Sequence, residues 1–489
     1  MTSRTTYFTY LVFFFALIQG ITSGLSPAQE TPKTDLGIYW EITPDPDELS
    51  EKLAEYEQLG VSFIEIQHPV NSSILDAISA YPFNVLIRFD KQFLLVEEIK
   101  NNKGQFVQDY QKLILEYAEF ENVVAYGLYS FSQSFDEGFI AEFNFIENEL
   151  ESITSREFYE ITSSNFNGLD FSITQIVSDS VPENSSSFLL SKNYSRNDLH
   201  LVGDIFKEQP VLFFIEANWL DQAISDYPVL NESLIDYKTS GSFILPLPLK
   251  TPSESEFNWP VFVFVLIWIS LGIHIRVSGT YGPLIFRYFT GHRFFVDDVM
   301  RYRERSLVSG TFLLFQHAAF TGLVTYILAK LLISPKGLEA LYHFLPQTAF
   351  FGQNYFSVFV IGMLISLLAQ IIGLIWLYLP SKSMTHFSQA LNLYSWIFHI
   401  DFVLVSIMLI LLLSGGSGTL IMILGVLFFI NWLIGFLLTS FDSSKYLVQK
   451  RLNYIFYTFG LHTVVNILLL VLILSNDYLI DMIELFFVL

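Results

Sequence analysis

The stretch Pro210-Val211-Leu212-Phe213-Phe214-Ile215-Glu216-Ala217-Asn218-Trp219 runs five apolar residues straight into a single carboxylate. A strand covered on both faces of a parallel sheet reads as such a continuous apolar run, and α/β barrels present their functional acids at the carboxyl ends of strands. The stretch predicts the seventh strand of a (β/α)8 barrel, with Glu216 at its mouth.

Working outward, short apolar runs alternate with amphipathic helices from residue 35 to about 249. Gly37–Trp40, Val61–Ile66, Asn84–Phe89 and Val123–Tyr129 read as the first four strands, with others near 168–174, near 186–190 and at Ser242–Pro246. Helices fit between most of them: from Asp45 to the stop at Gly60, Asn71–Ala80, roughly 105–120, 139–152, 197–207 and near 228–237. Eight strands alternating with helices predict a parallel sheet. A (β/α)8 barrel of about 215 residues is the first reading, near the small end for that fold, and an open doubly wound sheet is the alternative. No Gly-rich phosphate loop follows the first strand, so nothing supports nucleotide binding.

At 489 residues and 52% hydrophobic, the chain exceeds one soluble domain. Residues 31–257 carry 13 Lys+Arg against 38 Asp+Glu, whereas 258–489 carry 12 against 9, so nearly all of the net charge of −22 sits on the first half. Such an acidic domain argues against nucleic acid as a partner, because phosphate binding needs a basic face. With no cysteine, thiol catalysis, disulfides and thiolate metal sites are excluded, as fits a bacterial envelope protein. Residues 1–24, with Arg4 ahead of the apolar run Tyr10–Ile18, read as a secretory signal, which places the following domain outside the cytoplasm. Asn-x-Ser triplets at Asn71, Asn184, Asn193 and Asn231 carry little weight.

Three segments of the exported half resemble the clan of retaining β-glycosidases built on (β/α)8 barrels. In that clan strand four ends in an Asn-Glu pair whose Glu is the acid/base, and strand seven ends in the nucleophilic Glu. Asn122–Ser132 is similar to the strand-four segment, with Ser130 and Phe131 where the clan has Asn and Glu; Pro210–Glu216 is similar to the strand-seven segment with its acid kept. Gln67-His68-Pro69 resembles a weaker His-x-Pro feature, with different spacing. Hydrolysis by this route needs two carboxyl groups, about 5–5.5 Å apart in retaining enzymes. Phe131 cannot donate a proton, so the resemblance implies a non-catalytic barrel, unless Glu65, Asp90, Asp136, Glu137 or Asp170 has taken the acid's place beside a Glu216 nucleophile. Around Glu216, the aromatic residues Trp40, Tyr129, Tyr194 and Trp219, with His68, are candidates for contact with a sugar; packing in the core is the commoner fate of such rings.

Residues 250–258 are polar and contain Pro252, which suits a linker. Beyond them six stretches reach membrane length, near 259–277, 309–333, 355–379, 396–414, 417–439 and 458–475. The first connection holds Arg276, Arg287, Arg293, Arg301, Arg303 and Arg305 and is predicted cytoplasmic by the positive-inside rule, as are the connections with Lys382 and with Lys445–Arg451. Phe286, Tyr288, Phe289, Phe294 and Phe295 among these arginines also suit an interface with anionic lipid. The C-terminal residues 476–489 set Asp477, Asp481 and Glu484 opposite Leu479, Ile480, Ile483 and Phe486, as in a helix lying on the outer surface.

Polar residues inside the spans are costly and hence informative. Gln316, His317, Gln370, His399, Asp401, Asn431, His462 and Asn466 are candidates for one buried site for a proton, an ion or a lipid headgroup, with interhelical bonding as the plainer explanation. No metal motif occurs and no cofactor is implied. The expectation is a multi-pass protein of the bacterial inner membrane whose periplasmic barrel binds an envelope glycan or a protein partner, with membrane lipids around its helices. A membrane-anchored retaining glycosidase using Glu216, and a transporter or lipid-handling protein with the barrel as accessory, are the alternatives.

Overall fold

The computed structural model describes residues 33–89, 91–163, 168–177, 180–182, 185–248, 258–381, 384–446 and 451–489. The expected signal, most of the linker, Asp90, Asn184 and Lys382 lie outside them, as do residues 447–450. The chain divides into two units: one runs through Gln92 and adds Gly104–Ser130 and Asn144–Thr251, and the other holds Phe93–Lys103, Phe131–Phe143 and Pro252–Leu489.

The first unit is a closed barrel, not an open sheet. Strands β1 Asp35–Trp40, β2 Val61–Gln67, β3 Asn84–Arg88, β4 Val123–Ser130, β5 Glu157–Thr162, β6 Phe171–Gln175, β7 Ser187–Leu190 and β8 Leu212–Glu216 pair in parallel in chain order. β8 closes on β1, aligning Leu36 with Phe213 and Tyr39 with Glu216. The helices are α1 Pro46–Leu59, α2 Ser72–Ser79, α3 Val96–Glu116, α4 Glu137–Glu151, α5 Asp198–Glu208, α6 Ala217–Asp226 and α7 Val229–Ser240. Their ends follow the local chemistry. The Asn71 side chain accepts from the Ser73 amide to start α2, and Gly60, at φ +83°, ends α1 in a conformation that suits glycine.

Two expectations are corrected. Glu157–Thr162 forms β5, which the sequence reading passed over because its two glutamates break the apolar run; Glu160 is nevertheless fully buried. Ser242–Pro246 is no strand: Ile244 is 74% exposed, Phe243 stacks on Phe206 of α5, and the Ile244 carbonyl accepts from Ser233 of α7. Glu216 therefore ends the eighth strand, and the strand runs straight into α6, a helix also not foreseen.

Side chains alternate along each strand. One set points into the barrel, where Tyr159 of β5 reaches Glu65 of β2 across the lumen. Gly127 makes room, since a Cβ there would lie 2.6 Å from the Tyr159 ring; Gly37 does the same for the Phe214 ring at 2.4 Å. The other set meets the helices, as Trp40 does Tyr56 and Phe89 does Tyr110.

Among the described residues of the second unit, six helices are long and apolar enough to cross a membrane: Trp259–Val277, Leu307–Leu332, Tyr355–Tyr378, Phe387–Leu413, Gly418–Ser444 and Arg451–Leu474. The second is the hub, 61% buried, whereas the first and sixth, at 17% and 6%, are peripheral. In the arginine-rich connection, which holds helices Tyr281–Thr290 and His292–Met300, Arg287 and Arg303 pair with Asp298 and Arg301 with Asp297, while Phe286 and Phe294 stay exposed. The terminal helix Asp477–Val488 buries Met482, Leu485 and Phe486, a face rotated from the expected one that leaves Ile483 outside. It packs on helix Pro335–Phe344, where Phe486 meets Phe344.

Candidate functional site

At the end of β8 the Glu216 carboxylate is half-buried, and its Oε2 accepts from the Ser191 hydroxyl, 2.9 Å away, just past β7. Strand alternation puts Glu216 on the lumen side with Phe214, as it does Tyr39 on neighbouring β1; Glu41 follows just past the end of β1. Burial pushes the Glu216 carboxyl above the ordinary glutamate range; hydrogen bonds from Ser191 and Asn218 oppose this, and the charge of Glu41 adds to it. Glu41 itself is exposed. The Tyr39 phenol is pushed well up by burial and by the charges of Glu65, Glu41 and Glu216, with the charge of Arg88 opposing.

One layer below lies a buried ion pair. Arg88 Nε donates to Glu65 Oε1 at 2.9 Å, Tyr159 OH donates to the same oxygen at 3.0 Å, and Arg88 Nη2 reaches Gln67 at 3.1 Å. The guanidinium also lies 4.9 Å from the Tyr39 ring centroid. Glu65, at 1% exposure, is thus committed to Arg88 and cannot serve as a mobile acid. Glu160 is committed elsewhere, its Oε1 accepting the Leu169 amide at 3.2 Å to hold the connection after β5.

The other candidates fall in different places. Trp40, Tyr129 and Trp219 are each 1% exposed and line no mouth. With Tyr39 turned inward, Trp40 must face the helices, and Trp219, third residue of α6, packs edge-on against Tyr194 at 5.5 Å. The Tyr194 hydroxyl donates to Asp226. His68 Nδ1 lies 2.6 Å from the Tyr117 hydroxyl. Asp136 caps α4 by accepting from Gly138 and Phe139, and Glu137 begins that helix. Asp170 precedes β6, at the end of the barrel opposite the mouth. Phe131, at φ +55° and 6% exposed, belongs to the second unit, where its ring packs on Phe93 and carries the Lys336 ammonium 3.9 Å from its centroid.

With the strand count corrected, neither strand that the resemblance marks as catalytic ends in a carboxylate: β4 ends at Ser130, followed by Phe131 at the acid/base position, and Ser191 follows β7. Glu216 reaches Ser191 from the adjacent strand. Sequence reasoning missed Tyr39, Glu41, Arg88 and Ser191; the period-two alternation that aims Glu216 inward also aims Tyr39 and Glu65 inward, and was the available signal.

Within the helical unit three spans bring His317, Asp401 and Asn431 together. His317 Nδ1 lies 2.6 Å from Asp401 Oδ2, and Asn431 Nδ2 donates to Asp401 Oδ1 at 2.9 Å. Rings of Phe398 and Phe428 stack on the two faces of His317 at 4.0 and 5.1 Å, and both His317 and Asp401 are 0% exposed. His399 stands apart, bonded to Tyr281 and to the Trp396 carbonyl. Gln316 pairs with Ser270 and Gln370 with Ser366. His462 and Asn466 contact each other on the sixth span as their spacing predicts, with His462 stacked on Phe436, away from Asp401.

No protein-family model matches the chain, and no curated protein matches it. Solved structures similar to it include a beta-glucuronidase from uncultured Clostridium sp., at 9% identity and a TM-score of 0.31 over 38% of this chain and 44% of that one. A beta-galacturonidase from Eisenbergiella tayi bound to galacturonate scores 0.32 at 11% identity, over 44% and 52%. The Ruminococcus gnavus beta-glucuronidase scores 0.31 at 9%, over 38% and 44%. The chain spans about half the length of these enzymes.

Proposed function

We propose that this is a multi-pass protein of the bacterial inner membrane whose periplasmic barrel, of glycosidase type, binds an envelope glycan without cleaving it. The observation that carries this reading is the exit of strands four and seven, Phe131 after Ser130 and Ser191 after Leu190, where a two-carboxylate hydrolase of the resembled clan needs acids. Glu216, half-buried and oriented by Ser191, supplies a carboxylate acceptor for sugar hydroxyls. The buried placement of Trp40, Tyr129 and Trp219 favours recognition by hydrogen bonds over ring stacking. Isothermal titration of the full-length protein in detergent with a panel of envelope glycans tests it: heat that disappears in Glu216→Gln and Ser191→Ala is expected, and silence of the folded wild type across the panel counts against it.

A second reading is favoured by His317, Asp401 and Asn431: a charge-bearing cluster at full burial among three spans is the usual mark of a proton or ion step in transport. Proteoliposomes carrying an internal pH dye would then acidify under an imposed proton gradient, and identical traces for wild type and Asp401→Asn would remove it.

A further inference from the structure

The helical unit contains a cavity of about 530 Å³. Asn258 and Trp259 at the start of the first span line it, with Tyr326 and Lys330 near the end of the second, Tyr355 at the start of the third and Leu412 at the end of the fourth. Consecutive spans run in opposite directions, so the start of the first and third and the end of the second and fourth lie at one membrane face. The cavity is therefore at the depth where headgroup and acyl chain meet.

Its chemistry is graded in the same way. Among the described residues Lys330 is the one charged residue in the lining, exposed, with its ammonium 4.3 Å from the Tyr355 ring centroid. Among the described residues no carboxylate lines the cavity to neutralise it. Trp259, edge-on to Tyr326 at 4.8 Å and to Phe356 at 4.9 Å, makes a rigid aromatic wall, and leucines from the fourth span complete an apolar floor. A free anion would leave that floor wet, and a zwitterionic head would bring a second cation to an ammonium that already occupies the tyrosine face. We propose that the cavity binds one anionic phospholipid, its phosphate on Lys330 and an acyl chain along the floor toward Leu412. This rests on the reading of the six helices as membrane spans.

Native mass spectrometry of the full-length protein released from detergent micelles tests the proposal, with dioleoyl phosphatidylglycerol, dioleoyl phosphatidylcholine or inorganic phosphate added. One phosphatidylglycerol adduct is expected to outlast phosphatidylcholine as collision energy rises, unaffected by excess phosphate. Lys330→Gln should lower that adduct roughly fivefold, the ratio corresponding to about 1 kcal/mol per basic residue at a membrane surface. Leu412→Trp fills the floor while keeping the cation, and should lower it too; it keeps the test decisive if Lys330→Gln does not fold. Equal retention of both lipids, displacement by phosphate, or unchanged adducts in folded variants overturns the proposal. Alkaline extraction of membranes checks the spanning assignment separately: release into the soluble fraction would remove the premise, whereas retention with lipid-indifferent adducts would remove only the site.

Discussion

The barrel and the helical unit each bury an acid to 1% exposure or less, and they answer it differently. Glu65 meets the guanidinium of Arg88 and the hydroxyl of Tyr159, while Asp401 meets the imidazole of His317 and the carboxamide of Asn431. A guanidinium keeps its charge at every physiological pH, so the barrel's pair is a fixed part of its interior. The partners of Asp401 come instead from two other helices, so its hydrogen bonds tie three long helices together. The difference teaches where function can reside. The barrel has spent Glu65 and Glu160 on shape and leaves Glu216 half-buried at its mouth, whereas the helical unit sets its buried acid where three helices meet.

Arg88→Met is the strongest way to break the comparison. It leaves Glu65 buried without its cation and should destabilise the barrel by about 3–5 kcal/mol, seen as a lower denaturation midpoint by tryptophan fluorescence. Adding Glu65→Leu should recover most of that loss. Gly127→Ala probes the same interior through packing, since its methyl would press on Tyr159; a cost of about 1–3 kcal/mol is expected by the same assay. Asp401→Asn should cost less, about 0.6–1.7 kcal/mol, because hydrogen bonds between membrane helices are individually modest. A larger loss would give the two buried acids the same structural weight and erase the contrast.

The smallest effect is a pH dependence at Glu216. Burial raises this carboxyl's pKa, so the folded protein holds the proton more tightly than the unfolded chain does. The stabilisation is fully present below the ordinary glutamate value and is lost as pH rises through the raised one. Melting temperatures of wild type relative to Glu216→Gln, followed from about pH 4 to about pH 8, should fall accordingly; a flat difference would mean that the carboxyl is effectively solvated.

Much of this architecture was legible in the sequence, because apolar runs, caps and hydropathy are local signals. Asp45, Gly60 and Asn71 bracket their helices as expected, and the six spans differ from expectation mainly at their ends. The fifth strand was not legible, since its Glu157 and Glu160 look like surface residues until Leu169 and Tyr129 are placed beside Glu160. That omission moved Glu216 to the wrong strand. The site's partners were hidden for a related reason: Ser191 is 25 residues from Glu216 and Arg88 is 23 from Glu65, so only closure of the barrel brings them together. In the helical unit the sequence named His317, Asp401 and Asn431 among eight candidates, but pairing them required the packing of three helices.

Glu216 is proposed to bind without a catalytic partner, and among the described residues Glu41 is the carboxylate whose charge acts on it. The direct measurement is release of chromophore from a panel of aryl β-glycosides by the full-length wild type, Glu216→Gln and Glu41→Gln, with Glu216-dependent binding confirmed in parallel. The prediction is no release by wild type above that of Glu216→Gln. Turnover by wild type that is lost in both variants would contradict it, and would identify Glu216 and Glu41 as a working pair.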